Sequence, residues 1–175
     1  MNRSTRIFVY VTLCFVLATI IWVQWSKPVL PKMGEIQAVS NLKTDLPLKT
    51  ANKKEVRLKD FLGKIVILHS FATWCKPCME ELPEMVEFAK TANADTVIFP
   101  IQREPLMSDL NLNIKPLTIY FDESNRFVQE MGMVVGIPST LILDKKGKAR
   151  FMILGKAPWG EAKFQETLNL LRGEQ

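Results

Sequence analysis

Apolar and polar positions divide the chain into two unlike parts. Ile7–Val23 runs for 17 residues without a charge, and Gln24 and Trp25 extend it to 19. From Leu42 onward the apolar residues come in short runs and periodic stretches separated by polar turns. The long run predicts one helix, which at about 1.5 Å per residue just spans a hydrocarbon core about 30 Å thick. A cleavable export signal has a shorter apolar core, about 7–15 residues, ending at a small-x-small site. Here the run ends Ile-Ile-Trp-Val-Gln-Trp-Ser-Lys-Pro, so it reads as an uncleaved anchor. Arg3, Arg6 and the amino terminus precede it, while Lys27 and Lys32 follow with Glu35 close behind. That small excess on the amino side predicts a cytoplasmic N-terminus and an exported C-terminal part. Residues 1–26 are therefore expected as cytoplasmic stub and single-pass anchor. Residues 27–41, with Pro28 and Pro31 and no clear period, are expected as a tether, and residues 42–175 as the folded domain.

Within that domain the periods alternate. Leu46–Lys49 and Glu55–Leu58 predict two short strands around a turn at Asn52–Lys54, and Lys59–Gly63 a helical turn stopped by Gly63. Ile65–Leu68 is a continuous β-branched and apolar run, the signature of a strand buried on both faces. Lys76–Lys90 changes to helical spacing, with Met79, Leu82, Met85, Val86 and Ala89 on one face and Pro83 as a kink. Thr96–Ile101 predicts a second buried strand, Met107–Leu112 a brief helix, Leu117–Phe121 a strand, and Ser124–Met133 a helix capped by Ser124. Thr140–Asp144 and Ala149–Leu154 flank the turn Lys145-Lys-Gly-Lys148 as a hairpin. Gly160–Arg172 predicts a final amphipathic helix with Phe164, Leu168 and Leu171 inward. This order predicts an α/β domain: a mixed central sheet, helices on both faces, and an added N-terminal hairpin.

Composition fits such a domain: 47% of residues are hydrophobic and 23% charged, which excludes a disordered chain. The net charge is +5, and Arg3 and Arg6 supply two of the 23 basic residues, leaving +3 from Lys27 onward. So small an excess, spread over turns such as Lys53-Lys54 and Lys145–Lys148, is no nucleic-acid footprint.

The chemistry rests on cysteine. Of three, Cys14 lies in the apolar run, which leaves Cys75 and Cys78 in Trp74-Cys-Lys-Pro-Cys78. Two are too few for a disulfide framework or a four-cysteine zinc site. Cys75 follows a strand and opens a helix, where unpaired N–H groups and the positive end of the dipole stabilise a thiolate. Lys76 adds charge, and Pro77 suits the first helical turn. Cys78 lies one turn inward. The asymmetry predicts Cys75 as the attacking nucleophile and Cys78 as the residue that resolves the mixed disulfide.

His69-Ser-Phe-Ala-Thr-Trp-Cys-Lys-Pro-Cys78, followed by Met-Glu-Glu-Leu-Pro83, resembles the thioredoxin superfamily. Gly136-Ile-Pro-Ser-Thr140 resembles its cis-proline segment. Ala72–Cys75, Glu80–Pro83 and the N-terminal hairpin ending at Gly63-Lys64 resemble the membrane-anchored TlpA/ResA/CcmG group, and the tail Gly155-Lys-Ala-Pro-Trp159 most resembles the TlpA branch. The resemblance implies a thioredoxin-like fold with a cis Ile137–Pro138 bond beside Cys75, where the backbone of Ile137 pairs with an extended client segment. It also implies that Trp74 and Pro138 shape client recognition.

Two positions admit two readings each. His69, the chain's one histidine, stands where the family often carries Asp or Asn. It reads either as a general base for Cys78 or as a buried neutral residue bonded to backbone. Glu81 stands where reducing members carry an active-site glutamate, and reads either as a proton-handling group or as a solvated charge beside Glu80 and Glu84. The expected activity is reduction of disulfides in partner proteins at the periplasmic face of the inner membrane. The resemblance implies partners in cytochrome c assembly or among copper-site assembly factors of cytochrome oxidase, with electrons from a membrane-embedded thiol reductant. No cofactor or metal is expected beyond the redox-active pair itself. Two alternatives stand beside it: an oxidase donating its disulfide, which Lys-Pro between the cysteines does not match, and a non-catalytic copper-handling or chaperone module. The methionines suit core filling better than a metal site.

Overall fold

The computed structural model describes residues 2, 10, 12, 14–19, 36–38, 47–50, 52–103, 114–122, 125–133 and 136–174. The chain divides into two units, Met1–Leu30 and Pro31–Gln175. In the first, residues 14–19 are helical, and Phe15, Val16 and Leu17 are exposed. Most of the apolar run and most of the expected tether lie outside the described residues. Among those described, no helix is long and apolar enough to cross a membrane.

The second unit contains strands β1 (Ile36–Ala38), β2 (Pro47–Thr50), β3 (Glu55–Arg57), β4 (Ile65–Phe71), β5 (Thr96–Gln102), β6 (Tyr120–Phe121), β7 (Ser139–Leu143) and β8 (Ala149–Leu154). Its helices are α1 (Lys76–Thr91), α2 (Arg126–Glu130) and α3 (Ala162–Gly173), with a 3-10 turn at Leu58–Phe61. One mixed sheet runs β1-β8-β7-β4-β5-β6-β2-β3. Central β4 is buried along all seven residues, which explains its unbroken apolar run. It pairs in parallel with β5 and antiparallel with β7.

Strand alternation sorts the core into two layers. Ile65, Ile67, Ile98, Ile142 and Ile153 face α1 and α3 through Leu82, Met85, Phe88, Phe164, Leu168 and Leu171. Val66, Leu68, Phe99, Ile101, Leu141 and Leu143 face α2 and its C-cap through Phe127, Val128 and Met131. The mixed sheet, the helices on both faces and the N-terminal hairpin β2–β3 match expectation. That hairpin is joined to the sheet through β6. The β7–β8 turn is held by Asp144, whose carboxylate accepts the N–H groups of Lys146 and Lys148, both at 2.9 Å.

Several boundaries differ from expectation. Ile36–Ala38, inside the expected tether, forms β1 and pairs antiparallel with β8; three residues are too few to show a period. The strand expected over 117–121 shrinks to Tyr120–Phe121, because the Leu117 N–H is taken by a turn to the Ile114 carbonyl at 2.8 Å. The helix expected over 124–133 is Arg126–Glu130, entered through Asn125 at φ 54°. Ser124 lies outside the described residues; the carboxylate that serves this helix is Asp122, which accepts the Val128 N–H at 2.8 Å. Met107–Leu112 also lies outside them. Helix α1 continues through Pro83, and its buried positions are Cys78, Glu81, Leu82, Met85 and Phe88. The expected Met79, Val86 and Ala89 flank that stripe as half-buried residues.

Candidate active site

Strand β4 ends at Phe71 and α1 begins five residues later, so the intervening turn carries its residues to the carboxyl edge of the sheet. Cys75 is the N-cap, in extended conformation, and its Sγ accepts the Cys78 N–H at 3.3 Å. Cys75 and Cys78 form a disulfide. Cys75 is 5% exposed and Cys78 fully buried, an asymmetry in the expected direction but small. Lys76 and Pro77 occupy the exposed start of the helix, and Trp74 beside them is 74% exposed. Once the S–S bond opens, a thiolate at Cys75 keeps the Cys78 N–H and the positive end of α1.

The Ile137–Pro138 bond is cis, as the resemblance implied. Ile137 packs against the cluster of Phe71, Ala72, Cys75 and Cys78. Pro138 is buried, and its carbonyl accepts the Gly155 N–H at 2.8 Å. The register that sets Ser139 opposite Ser70 brings the start of β7 to the end of β4, so the proline segment and the cysteine pair meet at one sheet edge.

Beneath that edge is a buried polar group. Glu81 is 1% exposed, which removes the solvated-charge reading. Its Oε2 accepts the Ala157 N–H at 2.9 Å and the Trp159 Nε1–H at 3.1 Å. Its Oε1 lies 3.4 Å from His69 Nε2. Burial pushes the Glu81 carboxyl up to about 7, against the downward pull of those two donors and Lys156. Next to it, exposed Glu80 is held below the usual range by its ion pair with Lys156. His69 is fully buried, and burial pushes its imidazole down to about 3, so it is neutral at pH 7. The expectation of a buried neutral histidine holds in charge but not in partners. Its Nδ1 lies 2.9 Å from Thr140 Oγ1, and its other neighbour is the Glu81 side chain rather than backbone.

Cys75, Cys78, Trp74, Lys76, Pro77, Ile137 and Pro138 thus share the edge, and His69 and Glu81 meet each other below it. Thr140, Ala157 and Trp159 join this group from distant parts of the chain, and no motif in the sequence marks them as its partners. Trp159 carried a usable signal, since a buried indole N–H usually finds an acceptor. Among the described residues, no three His, Cys, Asp or Glu side chains are placed to hold a metal ion.

Comparison with known proteins agrees with this geometry. The Redoxin family profile matches residues 32–171. The thiol-disulfide oxidoreductase ResA of Geobacillus thermodenitrificans is 29% identical over 133 residues, covering 67% of this chain and 70% of that protein. The thiol-disulfide oxidoreductase ResA of Bacillus thuringiensis subsp. konkukian is 31% identical over 108 residues, covering 59% of this chain and 62% of that protein. Among solved structures, the exposed lipoprotein thioredoxin of Streptococcus pneumoniae superposes with a TM-score of 0.63 at 28% identity, covering 74% of this chain and 99% of that one. The fold is thioredoxin-like.

Proposed function

The chain belongs to the Redoxin family and is a thiol–disulfide oxidoreductase of the ResA/CcmG type, and from that premise we propose that it reduces disulfides in partner proteins. The observation that carries the exchange reaction is the order of the two cysteines along α1, and the reducing direction is supported by Lys76-Pro77 between them, which does not match a disulfide donor. Cys75 caps a helix where a thiolate is stabilised, and Cys78 is sealed one turn further in, on the same face as Glu81. In the reduced chain, the Cys75 thiolate attacks one sulfur of the client disulfide, and the other client sulfur leaves as a thiolate. Cys78 then gives its proton to Glu81 and attacks Cys75 Sγ. The Cys75–Cys78 bond forms, the bond to the client breaks, and the second client thiolate takes up a proton. Two electrons pass to the client, and a membrane-embedded thiol reductant restores the dithiol. The redox centre is the cysteine pair itself, with no cofactor.

The site of action is the outer face of the inner membrane. The uncharged run Ile7–Val23 with Arg3 and Arg6 before it supports an anchor whose C-terminal domain is periplasmic. Exposed Phe15, Val16 and Leu17 are side chains that lipid would cover. Clients in cytochrome c assembly, or copper-site assembly factors of cytochrome oxidase, fit that location, and the tail Gly155–Trp159 carries the likeness to the TlpA branch. The test is capture in intact cells. Cys78→Ser should accumulate a mixed disulfide between Cys75 and the client in the membrane fraction, and Cys75→Ser should capture nothing. Capture by Cys75→Ser alone would reverse the two roles.

A further inference from the structure

The reaction above uses Glu81 but leaves His69 without a task, and the structure supplies one. We propose that His69 is a positioning residue of the exchange reaction: clamped by Thr140, it aims Nε2–H at Glu81 and keeps that carboxylate ready to take the Cys78 proton. The inference rests on the reading that Glu81 receives this proton.

Strand register places His69 directly opposite Thr140, with Oγ1 2.9 Å from Nδ1. A buried hydroxyl in that place satisfies its own proton by donating it to Nδ1. The ring proton is then fixed on Nε2, since the bond made by one imidazole nitrogen sets the state of the other. Nε2 faces Glu81 Oε1 at 3.4 Å. These are two buried polar atoms that otherwise lack a hydrogen bond among the described residues. The edge of Trp159, with ring centroids 5.5 Å apart and planes at 71°, holds the imidazole from one side. Phe71 stacks with it at 6.5 Å. The ionised carboxylate therefore has three N–H groups around it, from Ala157, Trp159 and His69. The first two are fixed at Oε2 by hydrogen bonds. The third is a loose contact of the kind that tightens as charge develops.

The position in the chain gives that contact a consequence. Glu81 follows Cys78 by three residues on the buried face of α1, so their side chains are neighbours one helical turn apart. The charged groups facing the pair are few: Lys156, engaged with Glu80 at the surface, and Glu84 on α1. From β7 and the segment after β8 come Thr140, the Ala157 N–H and Trp159, none of which titrates near neutral pH. A hydrogen bond to the charged form favours it. His69 thus counteracts burial and holds a larger fraction of Glu81 ionised at neutral pH than Ala157 and Trp159 would hold alone.

The test follows Cys78 directly. Cys75 of the full reduced chain is converted to a mixed disulfide with the coloured aromatic thiol 2-nitro-5-thiobenzoate, and its release is followed by stopped flow on both sides of pH 7. The native rate should rise with pH through an inflection near 7, where Glu81 ionises. Glu81→Gln should lose the inflection near 7, its Cys78 proton going to solvent instead, so that release rises only at higher pH as the thiol itself ionises. His69→Asn, which keeps a group at Nδ1 but none at Nε2, should move it upward by about one pH unit, slowing release at pH 7 by about five-fold with full recovery at higher pH. His69→Gln, whose amide N–H reaches toward the Nε2 position, should return most of the shift. Thr140→Val, which frees the tautomer, should move the inflection the same way by less and serves if His69→Asn does not fold. A His69→Asn profile that overlays the native one, with stability alone reduced, overturns the positioning role. An inflection near 7 that survives in Glu81→Gln overturns the role of Glu81 itself, and this inference with it.

Discussion

Glu80 and Glu81 stand side by side on α1 and belong to two different regions. Glu80 is part of the exposed rim with Trp74, Lys76 and Lys156; its charge is held by Lys156 and bathed in water, and its carboxyl is lowered. Glu81 turns inward to His69, Ala157 and Trp159, where burial outweighs its hydrogen bonds and its carboxyl rises to about 7. Identical side chains one residue apart thus shift in opposite directions, because helix geometry sends one to water and the other to the core. The rim suits contact with clients, and the inner group suits holding a proton.

The largest expected break of this comparison is in stability. Glu81→Ala leaves the Ala157 N–H and the Trp159 indole N–H without their acceptor. Buried donors stranded in this way cost about 1–3 kcal/mol each, so thermal or denaturant unfolding should show a loss of several kcal/mol. Glu80→Ala should leave the unfolding curve almost unmoved, since exposed ion pairs contribute little.

A sharper contrast lies in the pH dependence of stability. Glu81 titrates at about 7 folded against 4.5 ordinarily, so its contribution is present at low pH and lost as pH rises from about 4.5 through 7. His69 titrates at about 3 folded against 6.5 ordinarily, so its contribution is present above 6.5 and lost as pH falls toward 3. Between about 4.5 and 6.5 the two oppose each other, and the native chain should show a plateau there. In Glu81→Gln only the histidine limb remains. Denaturant unfolding should then show stability climbing with pH across that same interval, by up to about 1.4 kcal/mol per unit. A plateau that persists in the variant would mean that Glu81 does not hold a proton there.

The smallest effect links the two regions. Lys156 pulls the Glu81 carboxyl down from the surface. Lys156→Met should raise the carboxyl slightly, read as a small upward move of its 13C side-chain titration, with little change in stability.

What the sequence made legible was what repeats or stands in a motif. The β-branched run of β4, the hairpin β7–β8 and the inward Phe164, Leu168 and Leu171 of α3 carry their own periods, and the cysteine pair at a strand-to-helix junction carries its own chemistry. The buried face of α1 differs from its apolar period because Glu81, which counts as polar in any periodic pattern, lies on it. Burial of Glu81 is tolerable only through Ala157 and Trp159, more than 70 residues away in the chain. The same holds for His69: its place on a buried strand was visible, but its partners on β7 and α1 were not. Strand β1 escaped for another reason, since its three residues hold their place by pairing with β8 rather than by a pattern of their own.

The central claim, that this chain is built to reduce its clients, is tested most directly by the reduction potential of the Cys75–Cys78 couple in equilibrium with a glutathione or dithiothreitol buffer. A value near that of thioredoxin, about −270 mV, is predicted; a value near −120 mV, that of a strong disulfide donor, would contradict it.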